Sequence, residues 1–411
     1  MTMNIRLLWI APYPPLPIFG GGTRVYNLMK ALAAHSDIAI DLIALGEHAG
    51  DAAPPPALHA LCRSVEIVPP TASSRRLAQL RSLVSPRPFE YTVTYSPRMQ
   101  ERIDHALARH SYDAVVVEHS FTGYYRIPKH IPIILDQHNV ESMVLLRAAS
   151  HDRTRLRRAY NWINGHKLLA DERGICRAAN LLLATSAQDC AAMERWGAMP
   201  PCVVIPNGVD TDYFTQRPRE EGTTPRLLFT ASMHYAPNIE AMLYFTREIW
   251  PLVREQRTDA ELAIVGGSAP PEVVALGDIP GVTLLGFVPD LRPVLTSATV
   301  VVVPLRIGGG TRLKIVEALA MGRAVVSTSL GCEGLDVEDG QTIVVADTSR
   351  AFADAIINLL NDPDARARLG RKGRRLVEEH YDWVPIGDRL VAALQPLLER
   401  RNELTTQVNN K

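Results

Sequence analysis

The stretch Val300-Val301-Val302-Val303-Pro304-Leu305-Arg306-Ile307-Gly308-Gly309-Gly310-Thr311-Arg312-Leu313-Lys314-Ile315-Val316-Glu317-Ala318-Leu319-Ala320-Met321-Gly322 decides the fold. Four consecutive valines read as a strand buried on both faces, because a strand with one wet face alternates apolar with polar residues. Three glycines end the run, and a helix follows with its cap near Thr311. A strand, a glycine turn and a helix in that order form the building block of a parallel sheet covered by helices.

Short apolar runs without alternation recur on either side, at 38–45, 114–117, 131–135, 181–184, 227–231, 262–265 and 282–285, with helical stretches between them. The fold class is therefore α/β. The expected division is a first doubly wound domain over 1–205, a Pro-, Gly- and charge-rich linker over 206–225, and a second doubly wound domain over 226–380. Residues 381–411 form a C-terminal helix, running from Trp383 to about Arg400 and packing back on the first domain, then a polar, frayed tail. Two such sheets face a central cleft, and ligands of open parallel sheets sit beyond the carboxyl ends of the strands.

The 411 residues suffice for two or three domains. Forty-four Lys plus Arg balance forty-four Asp plus Glu, so the net charge of +0 gives no general pull toward nucleic acid. Cys62, Cys176, Cys190, Cys202 and Cys332 are scattered, reading as neither a disulfide framework nor a zinc site, and a reducing compartment follows. No run approaches the roughly 18 uninterrupted apolar residues of a spanning helix. The apolar start at Leu7 is read as a buried strand rather than a leader, since Pro12, Pro14, Pro15 and Pro17 interrupt it at once.

Glycines let a backbone approach a ligand closely, and the N–H groups opening a helix suit a phosphate. Arg312 and Lys314 add positive charge there, and Glu317, farther along the helix, offers a carboxylate to a ribose diol. This segment reads as a nucleotide site, although its spacing is not that of a P-loop. The earlier run Phe19-Gly20-Gly21-Gly22-Thr23-Arg24 opens a helix over 25–34 and is either a second anion nest or a plain tight turn. The strand beginning at Tyr112 presents Glu118 and His119 at its carboxyl end, and the next one ends at His138 and Asn139, which are ligands or turn formers.

The combination resembles the retaining glycosyltransferases of the GT-B architecture, family four. It rests on Pro14-Pro15 with Gly20-Gly21-Gly22, Val204-Ile205-Pro206-Asn207-Gly208-Val209-Asp210, Gly286-Phe287-Val288-Pro289-Asp290, the Gly308–Glu317 segment, Gly322-Arg323-Ala324-Val325-Val326-Ser327-Thr328 and Glu333-Gly334-Leu335. The resemblance implies transfer of a sugar from a UDP- or GDP-sugar to a saccharide acceptor, lipid-linked, with retention at the anomeric carbon and without a metal ion or other cofactor. It places the donor against Gly309, Gly310, Thr311, Arg312, Lys314, Glu317 and His234 of the second domain, with Gly21 and Gly22 opposite. It places a histidine, here His119, near the donor sugar, with Glu118 as the alternative, and His138 and Asn139 on the acceptor side. Family members usually carry two glutamates seven residues apart. Here Glu317 fills the second position and Gly309 stands at the first, so the N–H groups of Gly309 and Gly310 substitute.

The loop Ser232-Met233-His234-Tyr235-Ala236-Pro237-Asn238 lacks the family's usual phosphate-binding cation, which leaves Arg312 and Lys314 for the diphosphate. The implied setting is the cytoplasm, at the inner membrane face, in surface or exopolysaccharide synthesis. The basic stretches 151–158 and 74–87 suit peripheral contact with anionic lipid, although their spacing shows no wide apolar face. Two other readings stay open: a nucleotide-sugar epimerase of the same fold, and a non-catalytic nucleotide-sugar binder.

Overall fold

The computed structural model describes residues 5–17, 20–35, 37–46, 54–70, 75–151, 154–216, 224–308 and 312–409. The chain forms two compact units, Met1–Pro206 with Trp383–Lys411, and Asn207–Asp382. Each is built on one parallel sheet.

Unit 1 contains β1 (Ile5–Ala11), β2 (Ile38–Leu45), β3 (Ser64–Val68), β4 (Ala114–Glu118), β5 (Ile133–Gln137), β6 (Leu181–Ala184) and β7 (Cys202–Val204), ordered β3-β2-β1-β4-β5-β6-β7. Unit 2 contains β8 (Arg226–Thr230), β9 (Glu261–Val265), β10 (Val282–Gly286), β11 (Val300–Val303), β12 (Ala324–Ser327) and β13 (Val344–Val345), ordered β10-β9-β8-β11-β12-β13. The strand order reverses between β1 and β4 in the first sheet and between β8 and β11 in the second. Such switch points open a crevice at the carboxyl ends, and the residues following these four strands form the candidate sites.

Alternate side chains of β1 enter separate cores. Leu7, Trp9 and Ala11 join one cluster, and Leu8 and Ile10 join the other on the opposite face. All four valines of β11 are fully buried, as a central parallel strand requires. The C-terminal helix buries Ile386, Leu390, Leu394 and Leu398 in the cluster that holds Val25, Leu28 and Leu32 of the helix Gly20–Ala33. A Cβ on Gly387 would lie 2.6 Å from Ala31 Cβ, so these two helices meet backbone to backbone.

Several expectations change. The C-terminal helix runs to Asn409, past the expected tail boundary. Cys190 and Cys202 are joined in a disulfide with Cα atoms 5.8 Å apart, whereas Cys62, Cys176 and Cys332 are free. The turn between the helix Ala187–Glu194 and β7 brings this pair together, a proximity the scattered spacing does not reveal. Gly20, Gly21 and Gly22 form the first turn of the helix Gly20–Ala33 rather than a loop before it.

Candidate functional site

In unit 1 the site begins with two acidic strand ends. Glu118 of β4 pairs in register with Asp136 of β5, and both side chains are wholly buried. Two carboxylates side by side out of water repel each other, so they persist only with opposite charge and donors around them. Arg24, buried on the helix Gly20–Ala33, forks onto Asp136 through Nε (2.9 Å) and Nη2 (2.6 Å), and its Nη1 donates to the Ile205 carbonyl (2.7 Å). The Trp9 indole donates to Glu118 Oε1 (2.6 Å). His138 Nε2 lies 2.7 Å from Glu118 Oε2 and 3.5 Å from Asp136 Oδ2.

Burial and the charge of Asp136 push the Glu118 carboxyl up to about 7. Burial also acts upward on Asp136, but Arg24 and His138 hold it well below the ordinary carboxylate range. Burial works against a charged His138, yet its hydrogen bonds to Asp136 and Glu118 prevail and raise it to about 9. Glu118, Asp136 and His138 offer ligand atoms within 4.8 Å of one another. Both Asp136 oxygens face the Arg24 guanidinium, which supplies the positive charge that a metal ion would bring.

His119 sits beside this network. Its φ of 62° is a sparsely populated conformation for a residue with a side chain. Its ring lies 3.9 Å from that of His138 and stacks on Phe121 at 4.5 Å, centroid to centroid. Nε2 meets the Tyr13 hydroxyl at 3.3 Å, and Nδ1 is 3.6 Å from Glu141 Oε1. Burial and the charge of His138 push His119 down to about 4, so its imidazole is neutral at pH 7. Glu141 is held in place from below: the buried Glu172 accepts from the N–H groups of Glu141 (2.9 Å) and Ser142 (3.1 Å), capping the helix Glu141–His151. Asn139 donates to Glu141 Oε1 (3.2 Å). Gly21 lies under Tyr13: a Cβ there would fall 2.3 Å from the Tyr13 hydroxyl, so no larger residue fits without moving that ring.

In unit 2 the segment after β11 leads to the helix Leu313–Ala320, which Arg312 precedes at the cap position. Gly309, Gly310 and Thr311 lie outside the described residues. Gly308 has φ 110°, a conformation that favours glycine, and a Cβ there would meet Pro237 at 3.1 Å. Arg312 is buried. Lys314 Nζ donates to Asn238 Oδ1 (3.0 Å) and lies 4.4 Å over the Phe229 ring. Asn238 in turn donates to the Ser232 carbonyl (2.9 Å), tying the loop after β8 to the helix after β11. Burial, with the charge of Arg312, pushes Lys314 down to about 7, and burial pushes Glu317 up to about 7 against the attraction of Lys314. Glu317 is half-buried, and its carboxyl makes no hydrogen bond to another described residue. His234 is exposed, with Nδ1 2.9 Å from Ser232 Oγ. A cavity of about 530 Å³ adjoins this loop, lined by Met233, Ile264, Gly266, Leu284 and Gly286. The triplet Asp210-Thr211-Asp212 has the spacing of an acidic metal-binding pair, but Asp210 Oδ1 accepts from the Tyr213 N–H (2.8 Å) and the segment is a turn.

The structure thus gathers Glu118, His119, His138 and Gly21 in unit 1, with Asn139 at their edge, and Arg312, Lys314, Glu317 and His234 in unit 2. Trp9, Tyr13, Arg24 and Asp136 escape the sequence reading as site residues. A charged residue inside the apolar run 133–137 is the one signal that marks Asp136.

Residues 18–213 match the family model described as Glycosyltransferase Family 4, and residues 224–362 match Glycosyl transferases group 1. The chain is a glycosyltransferase of this family. It is 20% identical over 393 residues to an uncharacterized 44.6 kDa protein in the cps region of Klebsiella pneumoniae, covering 92% of this chain and 96% of the relative. It is 27% identical over 358 residues to a GDP-mannose-dependent alpha-(1-6)-phosphatidylinositol monomannoside mannosyltransferase of Mycolicibacterium smegmatis, covering 77% of this glycosyltransferase and 92% of that protein. Among solved structures, sucrose-phosphate synthase from Thermosynechococcus elongatus superposes with a TM-score of 0.72 at 18% identity, over 96% of this chain and 100% of that one. The glycosyltransferase has the GT-B fold. Among its described residues, no helix is long and apolar enough to cross a membrane.

Proposed function

We propose that this glycosyltransferase moves a sugar from a GDP- or UDP-sugar to a lipid-linked saccharide in surface or exopolysaccharide synthesis, with retention and without a metal ion. The observation that carries the reading is Glu317. It is a half-buried carboxyl beside Lys314, at the carboxyl end of the second sheet, with no hydrogen bond to another described residue. An acceptor left open in that position suits the two hydroxyls of a ribose. Breaking a glycosyl–phosphate bond builds negative charge on the leaving diphosphate. Lys314, Arg312 and the start of the helix Leu313–Ala320 supply the compensating positive potential.

On the sugar side, His119 suits the contact better than Glu118, because both Glu118 oxygens are hydrogen-bonded whereas His119 Nδ1 makes no hydrogen bond to a described residue. A neutral imidazole can donate from one nitrogen and accept at the other, and so orient a sugar hydroxyl. The leaving phosphate would take the acceptor proton, so no covalent nucleophile is needed. A lipid-linked acceptor is supported by the Mycolicibacterium relative, named for a phosphatidylinositol monomannoside. Such an acceptor fits work at the cytoplasmic face of a membrane.

Thermal unfolding with GDP, UDP, ADP, CMP and TDP in turn tests the donor. A nucleotide that binds the folded state raises the midpoint. GDP or UDP should do so, and Glu317→Ala should abolish the rise. If none of the five shifts the parent protein, the reading is wrong.

A further inference from the structure

We propose that Glu141, together with His119 Nδ1 and the Asn139 amide, binds one hydroxyl of a saccharide substrate. Helix capping does not occupy the Glu141 carboxyl. Glu172 begins the helix Glu141–His151 by accepting from the backbone N–H groups of Glu141 (2.9 Å) and Ser142 (3.1 Å) and from the Ser142 hydroxyl. The Glu141 carboxyl accepts one hydrogen bond from a described residue, that of Asn139 Nδ2 at 3.2 Å. Its side chain is 23% exposed against 8% for His119, so it is the part of the cluster that a ligand meets first.

The two groups beside it are under-bonded. His119 Nδ1 and Asn139 Oδ1 are buried, and neither makes a hydrogen bond to another described residue. A buried polar atom without a partner costs about 1–3 kcal/mol, so two against one carboxyl point to a ligand that completes the set. The His119 ring is nonetheless held firmly. Its backbone strain is locked by the Ser120 N–H donating to Gln137 Oε1 (2.7 Å) and by Thr122 Oγ1 donating to the His119 carbonyl (3.0 Å). Phe121 stacks on the ring, and His138 packs against it. Burial and the charges of Glu118 and Glu141 raise the Tyr13 hydroxyl well above its ordinary range, so it keeps its proton. Donating to Nε2, Tyr13 fixes the tautomer with the imidazole hydrogen on Nδ1, beside Glu141.

The chemistry of the cluster identifies the ligand. An N–H donor and a carboxylate acceptor stand 3.6 Å apart, and the amide of Asn139 adds a second acceptor. A hydroxyl accepts from the donor and donates to an acceptor. A phosphate is repelled by Glu141, and an ammonium group meets the hydrogen on Nδ1. Each contact of a hydroxyl needs about 2.7–3.0 Å, so the Glu141 carboxyl turns toward solvent to admit the group between itself and Nδ1. The inference rests on the sugar-transfer reading and adds to it a residue, Glu141, that touches substrate. The hydroxyl belongs to the transferred sugar or to the acceptor, and the measurement separates the two.

Magnetic resonance of the full chain, carrying isotope-labelled histidine, tests it, with the His119 ring signals assigned through His119→Gln. UDP, GDP, UDP-glucose, GDP-mannose and the methyl α-glycosides of glucose and mannose are added in turn. The Nδ1 resonance should move with a saccharide and stay fixed with UDP or GDP. A shift with a nucleotide sugar assigns the hydroxyl to the donor, and a shift with a methyl glycoside assigns it to the acceptor. In calorimetry with that ligand, Glu141→Ala should weaken binding on the order of 10- to 100-fold, the usual effect of losing a hydrogen bond to a charged group. Glu141→Gln should recover part of the loss, because an amide oxygen still accepts. Neither variant should lower the unfolding midpoint or the affinity for the bare nucleotide, since Glu172 grips backbone rather than the side chain. An Nδ1 resonance that no saccharide moves overturns the inference, and so does an equal response to UDP or GDP. Unchanged saccharide affinity in Glu141→Ala overturns it as well. A parent whose Nδ1 answers a methyl glycoside while no nucleotide binds supports the inference and overturns the donor reading.

Discussion

Both units place charged side chains at the carboxyl ends of their central strands, and they treat that charge in opposite ways. In unit 1, Glu118, Asp136, Arg24 and His138 are buried and bonded to one another, with Trp9 closing the last open oxygen. In unit 2, Lys314 holds one partner and the Glu317 carboxyl is left open at a half-buried position. A saturated network fixes geometry, whereas an unsaturated one retains capacity for a ligand. The first set is a frame that positions His119, and the second is a receptor for the donor.

The largest effect should come from breaking the frame. Arg24→Met leaves Asp136 buried without its cation and should cost about 3–5 kcal/mol of stability, read from the urea midpoint. A midpoint that hardly moves would show that the network does not hold unit 1 together. Smaller, and of a different kind, is the change expected in the receptor. Glu317→Gln should weaken donor binding by about 1.5–3 kcal/mol, the usual contribution of a hydrogen bond to a charged group, and leave the unfolding midpoint in place. Titration calorimetry with the nucleotide chosen by the thermal screen measures it. Loss of stability in this variant would place Glu317 in the frame after all.

A pH dependence follows from Glu118 and His138, which titrate as a coupled pair. The folded-state value of His138 is raised, to about 9 from 6.5. Its contribution is therefore fully present below 6.5 and lost as pH rises through 9. Glu118, also raised, weakens the fold in the same direction between 4.5 and about 7. Stability followed by denaturant titration should fall from pH 6.5 to 9, and His138→Gln should flatten that slope. An unchanged slope would mean that His138 is not charged in the folded protein.

How far these sites could be read from the sequence depended on distance along the chain. The helix carrying Arg312, Lys314 and Glu317 was legible because strand, glycine turn and helix are contiguous, and its cap, Arg312, stands next to the expected position. Glu118 and His119 were visible as polar residues ending an apolar run. Their partners were not, since Arg24 reaches Asp136 across 112 positions and Trp9 reaches Glu118 across 109. Nothing local distinguishes Trp9 from any other core aromatic.

The sequence by itself determined the α/β class, the parallel sheets and the segment after β11, because periodicity and glycine placement act within a few residues. Only the tertiary structure decided which charges neutralise one another and which cysteines join. Those outcomes depend on strand order and helix packing, and hydrophobic burial selects these for the whole chain at once.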